Sequence, residues 1–249
     1  MIVAPVPILG RKALFPWTIH RLRKNNITPL CLVETNKERM LCERYQLPVK
    51  QVKPMTLGQK WNIGFQWARD YNPHAVLYVG SGDWVSDNWI DFFYPYLEEY
   101  DMIGVKGIHF YHRMYRIRPY GRSLSLPEEF LGYWEGYEGD REGESCGGGR
   151  MLGRRILELM DYKPFRNENF HNMDYNMLYS VMNNGGRVFT YDGDEVKGLA
   201  VSSDLWSSMH EFNIAEEEKS VKKFLTKHFP EGLELWNVDG VYSQIESRK

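Results

Sequence analysis

A short apolar run that ends in a glycine-rich turn and an acid is the feature that most constrains this chain of 249 residues. Residues 75–79 (Ala-Val-Leu-Tyr-Val) are long enough for a buried strand, and residues 80–82 (Gly-Ser-Gly) end that strand and let the backbone approach a ligand closely. Asp83 follows at once. Ligands of open α/β sheets bind beyond the carboxyl ends of strands, which favours Asp83 as a ligand-binding carboxylate. Asp87, a little further on, suits a metal ligand and a helix N-cap equally well.

Apolar runs typical of strands alternate with helical patterns over the first hundred residues. Strands are predicted at residues 1–7, 28–33, 49–52, 75–79 and 102–105, and helices at residues 11–25, 36–45, 59–71 and 88–100. The first helix requires Pro16 to fall in its first turn, where a missing N–H is tolerated. The alternation predicts an α/β fold with a doubly wound, mostly parallel central sheet flanked by helices.

The character of the chain changes near residue 105. Residues 106–122 carry seven basic side chains (histidines included) and no acid, with aromatic residues interleaved, whereas residues 127–144 carry seven acids and one arginine. Further helices are predicted at 151–162, 174–184 and 216–229, and a strand at 187–191. We interpret the change as a lobe boundary inside a single domain, residues 1–249, with lobes at 1–105 and 106–215 and a C-terminal helical tail at 216–249.

The overall composition argues against several classes of protein. A net charge of -2 excludes general adhesion to nucleic acid or membranes, so such a role would need a local patch. The three cysteines are widely spaced and odd in number, which indicates reduced thiols and no disulfide framework. No apolar run approaches the length of a membrane span, and Arg11 and Lys12 follow the first apolar stretch, unlike a signal peptide. We therefore expect a cytoplasmic protein without membrane insertion, and the oligomeric state stays open.

The order of the motifs resembles that of the GT-A glycosyltransferases, and within them the family 2-like nucleotide-sugar transferases. The resemblance extends over roughly residues 1–212 and is carried by Ile2-Val-Ala-Pro5, Leu32-Val-Glu34, Leu57-Gly-Gln-Lys-Trp-Asn-Ile-Gly64, Gly80-Ser-Gly-Asp-Trp84, Gly147-Gly-Gly149 and Met173-Asp174. Each piece alone is weak, and their order and spacing together are more specific. The resemblance implies a GT-A (Rossmann-like) fold, with a nucleotide-sugar-binding lobe at 1–105 and an acceptor-side α+β lobe at 106–215.

The resemblance also implies which residues bind the donor, expected to be a UDP-sugar. The first strand and the acid after the second strand hold the nucleoside in the family, and donors at a helix start reach the base, ribose or phosphate. The donor-binding residues implied here are Pro5, Val6, Glu34, Lys60, Asn62, Ser81, Gly82 and Asp83. The plainer alternatives are a solvated lysine for Lys60 and a helix-packing contact for Asn62.

The turn at 80–83 departs from the family pattern, in which two or three acids bind Mn or Mg. Gly80 and Gly82 stand at the positions of the two motif acids, and Asp83 remains. Two readings stay open. Either Asp83 binds the metal, helped by Asp87 and by His210, where the family often has a late metal-binding histidine, or metal dependence is weak and Lys and Arg side chains stabilise the leaving diphosphate. His210 also fits an ordinary partly buried histidine.

Asp174 is the implied catalytic base of an inverting hexosyl- or pentosyltransferase. An acid at the start of this helix removes the proton of the acceptor hydroxyl in inverting members of the family. Asp174 also suits a helix N-cap, and Glu168 and His171 are nearby substitutes. The acceptor-binding residues implied or suggested by charge are Gly147, Gly148, Arg150, Arg113 and Arg116, and Arg154 and Arg155 could also face phosphates.

The acceptor itself is open. The cations and aromatics of residues 106–122 suit a polyanion, so the acceptor could be a 5-hydroxymethylpyrimidine in DNA, modified in a host cytoplasm by a bacteriophage enzyme. The same cations could instead pair with the acidic segment at 128–144. A surface glycan, a lipid-linked sugar or a protein is the alternative acceptor. A nucleotidyltransferase, or a non-catalytic module that binds a nucleotide sugar or DNA, is the alternative from another class.

Overall fold

The computed structural model describes residues 1–8, 14–113, 129–165, 173–202, 216–217 and 221–230. Its strands are β1 (Ile2–Pro7), β2 (Ile27–Val33), β3 (Val49–Gln51), β4 (Ala75–Tyr78), β5 (Asp83–Val85), β6 (Met102–Val105), β7 (Ile108–Arg113), β8 (Glu129–Trp134), β9 (Arg150–Gly153), β10 (Val188–Tyr191), β11 (Gly198–Ser202) and β12 (Glu216–Glu217). Its helices are α1 (Phe15–Lys24), α2 (Asn36–Arg44), α3 (Leu57–Ala68), α4 (Trp89–Phe93), α5 (Arg154–Leu159), α6 (Met173–Asn183) and α7 (Val221–His228), with 3₁₀ turns at Arg69–Tyr71, Tyr94–Glu98 and Gly139–Arg141.

The main sheet has seven strands in the order β10-β6-β9-β4-β1-β2-β3. All neighbouring strands are parallel except β9, which runs antiparallel to β4 and β6. The predicted mostly parallel α/β sheet is therefore confirmed. Because β9 is reversed, the loop that precedes it lies at the same edge of the sheet as the carboxyl ends of β1, β2, β4 and β6.

Both faces of the main sheet are buried, as expected for a parallel sheet covered by helices. Alternate residues of β1 belong to different apolar clusters: Ile2 packs with α1 on one face, and Val3 packs with α3, α5 and α6 on the other. Gly64 is needed on α3, because a Cβ there would lie 2.6 Å from Leu32 Cδ1 and 2.7 Å from Pro5 Cβ. This glycine therefore lets α3 approach β1 and β2 closely.

The helix ends follow local sequence rules. Pro16 falls in the first turn of α1, as the sequence required. Both α2 and α3 begin with reciprocal capping boxes, formed by Thr35 with Glu38 and by Thr56 with Gln59. None of the helices in the described part of the chain has the length and apolarity needed to cross a lipid bilayer.

A second sheet of five strands, in the order β12-β8-β7-β11-β5, packs with α7 around a third apolar cluster. It was not predicted, since its strands lie in segments interpreted by charge or as turns. The sheet matters for the site because β5 begins at Asp83 and pairs with β11, which places Asp83 opposite Ala200.

Three predicted helices are wrong in part. Residues 150–153 form β9, and α5 covers only Arg154–Leu159, because Met151 and Leu152 pair with strands on both sides. A short apolar run cannot be assigned to strand or helix by periodicity alone. The predicted helix at 88–100 is α4 followed by a 3₁₀ turn that contains Pro95, and the predicted helix at 216–229 begins with β12.

His109 is a buried histidine in the second sheet, with 6% of its surface exposed. Its ring packs against Tyr133 and Phe224, with centroid separations of 4.8 and 4.3 Å, and no described residue hydrogen-bonds to its Nδ1. Burial is the main cause that lowers the pKa of His109 from 6.5 to about 3, and the positive charge of Lys197 adds to it.

We expect His109 to make the fold acid-sensitive. The pKa of His109 is lower in the folded chain than in the unfolded chain, so below pH 6.5 the unfolded chain binds a proton that the folded chain does not. The free energy of unfolding therefore decreases as the pH is lowered. The loss should reach roughly 3 kcal/mol between pH 7 and pH 4. Urea unfolding of His109→Phe should show a shallower acid slope than wild type, while His20→Gln, an exposed control on α1, should keep the wild-type slope. Equal slopes for wild type and His109→Phe would contradict the assignment.

Candidate active site

The turn after β4 is folded around Asp83. The Asp83 N–H donates to the Gly80 carbonyl at 3.2 Å, and the Gly80 N–H donates to Asp83 Oδ2 at 2.7 Å. Neighbouring elements fix the turn through its backbone, since Thr18 Oγ1 donates to the Ser81 carbonyl at 2.8 Å and the Val201 N–H donates to the Gly82 carbonyl at 2.8 Å. The carboxylate of Asp83 is therefore held at the carboxyl edge of the main sheet, where the sequence predicted a ligand-binding acid.

The glycine loop before β9 lies between two acids. A Cβ on Gly147 would lie 2.0 Å from Asp174 Oδ1, and a Cβ on Gly148 would lie 3.6 Å from the Asp83 carboxyl group. Gly149 has a φ of +87°, and a Cβ there would meet Trp89 at 2.5 Å. The loop is thus a close-approach turn, one of the two readings its sequence allowed. It brings the predicted donor-side acid Asp83 and the predicted base Asp174 to one place in the fold.

Asp174 is the second residue of α6, and its carboxylate is held from outside the helix. Tyr137 Oη donates to Asp174 Oδ2 at 2.9 Å. The buried guanidinium of Arg150 donates to the backbone carbonyl of Asp174, and also to the hydroxyl and carbonyl of Ser145. Position and contacts together favour an oriented functional carboxylate over a simple N-cap.

Tyr137 was not singled out from the sequence, where it is one of several aromatics in an acidic segment. Burial raises the pKa of its phenol well above the ordinary value of 10, and the nearby Asp174 carboxylate raises that pKa further. Tyr137 therefore stays a hydrogen-bond donor over the whole pH range of a folded protein. The guanidinium of Arg141 lies 3.5 Å from the centre of the Tyr137 ring and donates to Glu144 at 2.7 and 2.9 Å, which fixes the ring in place.

Replacing Tyr137 by phenylalanine should impair the acid without removing it. The ring would keep its packing against Trp134 and Arg141, but Asp174 would lose a hydrogen bond of a kind worth roughly 1.5–3 kcal/mol. We expect turnover to fall about tenfold to a hundredfold with nucleotide-sugar affinity unchanged, as measured by steady-state kinetics and calorimetry. Tyr100→Phe, a tyrosine that packs on Phe189, is the matched control. Turnover equal to wild type would exclude a positioning role for Tyr137.

Glu34 and Lys60, both predicted to bind the donor, form an ion pair at the carboxyl end of β2. Lys60 is completely buried, which is unusual for a lysine without a functional or structural partner. Apart from this ion pair, no described residue hydrogen-bonds to Lys60 Nζ. The solvated-lysine alternative is thereby excluded. Pro5 and Val6 are buried on the adjacent strand β1.

Asn62 is used inside the protein. Its Nδ2 donates to the Phe165 carbonyl at 2.7 Å, and the Phe165 N–H donates to its Oδ1 at 3.1 Å. This reciprocal pair ties α3 to the chain 103 residues further on. The geometry supports the helix-packing alternative, and a contact between Asn62 and a donor stays a prediction.

The arginines expected near phosphates bind protein groups. Arg150 is fully buried on the contacts described above. Arg154 donates to the carbonyls of Pro73 and Asn72, and Arg155 forms an ion pair with Asp101. Arg154 and Arg155 lie at the opposite edge of the main sheet, beside the starts of β4 and β6, and an acceptor contact for Arg150 stays a prediction.

The side chain of Asp87 pairs with two cations of α1. Its two carboxylate oxygens lie 2.6 Å from Arg21 Nη2 and 2.7 Å from Lys24 Nζ. The residue that precedes α4 is Asn88, so the N-cap reading of Asp87 is wrong. The pairing with two cations favours a structural role for Asp87 over the metal-ligand reading. Several other predictions fall outside the described side chains: Arg113, Arg116, Glu168, His171 and His210.

The residues at the turn suit a metal ion that is bound jointly by the protein and a phosphate better than one bound by protein ligands alone. Within the described ranges, no group of three or more His, Cys, Asp or Glu side chains could hold a metal ion. Mg²⁺ in nucleotide sites needs only one or two carboxylates when phosphate oxygens and water supply the rest. Asp83 fits that sparse arrangement.

The described part of the basic segment is engaged within the protein. Lys106 Nζ lies 2.8 Å from Asp192 Oδ2, and His109 is buried in the second sheet. The alternative in which the arginines of this segment pair with the acidic segment at 128–144 stays a prediction, because their side chains lie outside the described part of the chain. The rest of the segment, residues 114–122, lies outside the described residues.

The sheet order, the reversed strand β9 and the acids at the carboxyl edge define a GT-A-like α/β fold. No family model matches the chain, and no curated protein matches it. Solved structures with this fold are TarS from S. aureus, with a TM-score of 0.56, 15% identity and 81% of the present chain covered, and the mannosyltransferase PcManGT from Pyrobaculum calidifontis in complex with GDP-Man and Mn2+, with a TM-score of 0.54, 9% identity and 84% covered.

A shorter TarS structure, residues 1–349, matches with a TM-score of 0.52 and 15% identity over 80% of the present chain. The chain spans 60% of that structure, 36% of the longer TarS chain and 59% of PcManGT. At these identities the likeness concerns the fold.

Proposed function

We propose that the chain is an inverting glycosyltransferase that moves a sugar from a nucleotide-sugar donor to an acceptor hydroxyl. One observation carries the proposal: Asp83 and Asp174 lie on either side of the Gly147–Gly148 turn at the carboxyl edge of a GT-A-like sheet. One carboxylate serves the donor diphosphate, and the other serves the attacking hydroxyl. The complex of PcManGT with GDP-Man and Mn2+ supports a nucleotide sugar as the class of donor.

The donor lies along the carboxyl ends of β1, β2 and β4. Glu34 and Lys60 bind the nucleoside, with the Lys60 ammonium donating to the base, the ribose or a phosphate. The backbone of Ser81 and Gly82 contacts the diphosphate end. A UDP-sugar is the donor we expect, and the transferred sugar is a hexose or pentose.

Asp83 would hold Mn or Mg together with the diphosphate oxygens. When bound, the metal supplies positive charge to the diphosphate as it leaves. Asp83 orients this group from a fixed position, because the Gly80 N–H holds one of its oxygens. Whether His210 contributes stays a prediction.

Asp174 accepts the proton of the acceptor hydroxyl. As the hydroxyl oxygen forms its bond to the anomeric carbon, the bond from that carbon to the diphosphate oxygen breaks, and the electron pair leaves with the nucleoside diphosphate. Tyr137 keeps the carboxylate in place during this step, and Arg150 anchors the backbone carbonyl of the same residue. The glycine at 147 leaves room for the carboxylate itself, since a Cβ there would lie 2.0 Å from Asp174 Oδ1.

The candidate acceptors differ in the kind of groove that they need. The hypothesis of a 5-hydroxymethylpyrimidine in DNA as acceptor depends on the basic residues at 106–122. Of these, Lys106 forms an ion pair with Asp192 and His109 is buried in the second sheet. A surface glycan or a lipid-linked sugar needs no basic groove.

Removing the charge of Asp83 should test the donor side. We expect Asp83→Asn to weaken donor binding about tenfold to a hundredfold in the presence of Mn and to abolish the effect of Mn on affinity, because a neutral amide is a poor metal ligand. Isothermal titration with UDP and with UDP-glucose, with and without Mn, measures both quantities.

Asp87→Asn is the matched control for this experiment. It removes a carboxylate four positions away that pairs with Arg21 and Lys24, so it should lower stability without changing donor affinity. An Asp83→Asn variant that binds the donor as wild type does, with the same response to Mn, would exclude Asp83 as the donor-side acid.

A further inference from the structure

A cavity of about 450 Å³ opens beside Tyr137, the residue that donates a hydrogen bond to the proposed base. Its lining includes Lys106, Trp134, Tyr137, Glu138 and Glu142. Tyr137 lines the cavity and its hydroxyl donates to Asp174, so this one residue connects the cavity with the acid that would receive the acceptor proton. The volume lies within the usual range of small-molecule sites.

The wall of the cavity is shaped by its sequence. Gly136 has a φ of +113° and Gly139 a φ of +64°, conformations that residues with a side chain rarely adopt. A Cβ on Gly136 would also lie 2.7 Å from the Lys106 carbonyl oxygen. Trp134 packs edge-to-face on Tyr137 with the ring centres 4.8 Å apart. These two glycines and the Trp134–Tyr137 contact set the course of the backbone along one wall of the cavity.

The charge of the cavity is negative. Glu135, Glu138 and Glu142 line it, and the ammonium of Lys106 is paired with Asp192 at 2.8 Å. The pKa of Lys106 is raised mainly by Asp192, and Glu142 and Glu135 raise it further, which shows that several carboxylates surround one cation. These acids do not form a metal cluster among the described residues.

We infer that this cavity binds the acceptor, and that the acceptor is a saccharide without negative charge. Ionised carboxylates only accept hydrogen bonds, so they select ligands rich in hydroxyl or amine donors. The aromatic side chains of Trp134 and Tyr137 supply apolar surface for a sugar ring. A nucleic-acid backbone would bring phosphates against three carboxylates, and such a juxtaposition of like charges is costly. The inference rests on the proposed function for the identity of the base.

Saccharide binding can be measured without a donor. Saturation-transfer NMR on the full chain should detect contacts with at least one of four neutral trisaccharides built from glucose, galactose, mannose or N-acetylglucosamine. A sulfated trisaccharide and a single-stranded oligonucleotide with 5-hydroxymethyluracil should give no comparable signal. Silence from all four neutral sugars, or preferential binding of the oligonucleotide, would overturn the inference.

Charge-neutral variants tie the binding to the cavity. Glu138→Gln and Glu142→Gln together should weaken saccharide binding at least tenfold, since each removes a charged acceptor. Glu158→Gln, an exposed acid on α5 outside the lining, should bind as wild type does, and thermal unfolding should confirm that all variants are folded. Unchanged affinity in the double variant would also overturn the inference. Donor titration in parallel separates the outcomes: donor binding without saccharide binding rejects only the acceptor, and saccharide binding without donor binding rejects only the transferase.

Discussion

Asp174→Asn should lose at least 10²-fold, and up to about 10⁴-fold, in sugar transfer, the range associated with a general base. Asparagine keeps the size of the side chain and can still accept from Tyr137, so the geometry of the site should survive while the ability to take a proton is lost. Nucleotide-sugar affinity should stay within about twofold of wild type, because the proposed donor site lies on the other side of the Gly147–Gly148 turn. Steady-state transfer rates and calorimetric donor titration measure the two effects separately.

The control for this variant is Asp91→Asn, which removes an exposed acid from the first turn of α4. Its transfer rate should equal that of wild type. Should Asp174→Asn retain turnover within a few-fold of wild type, the base would have to be another group, and Glu168 and His171 are the residues to replace next.

Gly147→Ala should be nearly as damaging, for a steric reason. The added Cβ would lie 2.0 Å from Asp174 Oδ1 and 2.5 Å from Oδ2, closer than non-bonded atoms can approach, so the carboxylate must move. A misplacement of about 1 Å in a catalytic group can cost about 10²-fold in rate, which is the loss we expect in turnover.

Gly148 and Gly153 allow the loss of turnover to be compared at three degrees of crowding. A Cβ on Gly148 would meet Ile108 Cδ1 at 3.3 Å, so Gly148→Ala should lose no more than about tenfold. A Cβ on Gly153 would meet its nearest neighbours at 3.7 Å, an ordinary contact, and Gly153→Ala should be as active as wild type. Equal effects of the Gly147 and Gly148 variants would show that the acid is not where the geometry puts it.

The sequence predicted where two elements of the candidate site lie, and the roles of their acids remain proposals. The turn at 80–83 and the helix start at 173–174 were found because short local patterns, a strand with glycines or an acid before a helix, mark them. For the glycine loop, the sequence allowed two interpretations, a mobile loop or a turn in close contact with another part of the chain. The ion pair of Glu34 with Lys60 brings together two residues predicted separately.

Other features depend on contacts that no local pattern encodes. Tyr137 meets Asp174 across 37 residues of sequence, and nothing distinguishes it from other tyrosines of its segment. Arg150 suggests an exposed phosphate ligand in the sequence, but the antiparallel insertion of β9 buries it behind the base. β9 itself was taken for the start of a helix, since its pairing on both sides is a property of the sheet and not of four residues.

The most direct test of the proposed function is donor turnover. The wild-type chain should be incubated with UDP-, GDP-, dTDP- and CMP-linked sugars in the presence of Mn, with release of the nucleotide product followed by chromatography and Asp83→Asn run alongside. We expect wild type to release the nucleoside diphosphate from at least one diphosphate-linked sugar, UDP-glucose or a related UDP-sugar first, and Asp83→Asn to release far less. If wild type neither binds nor cleaves any of these donors, the chain is not a nucleotide-sugar transferase.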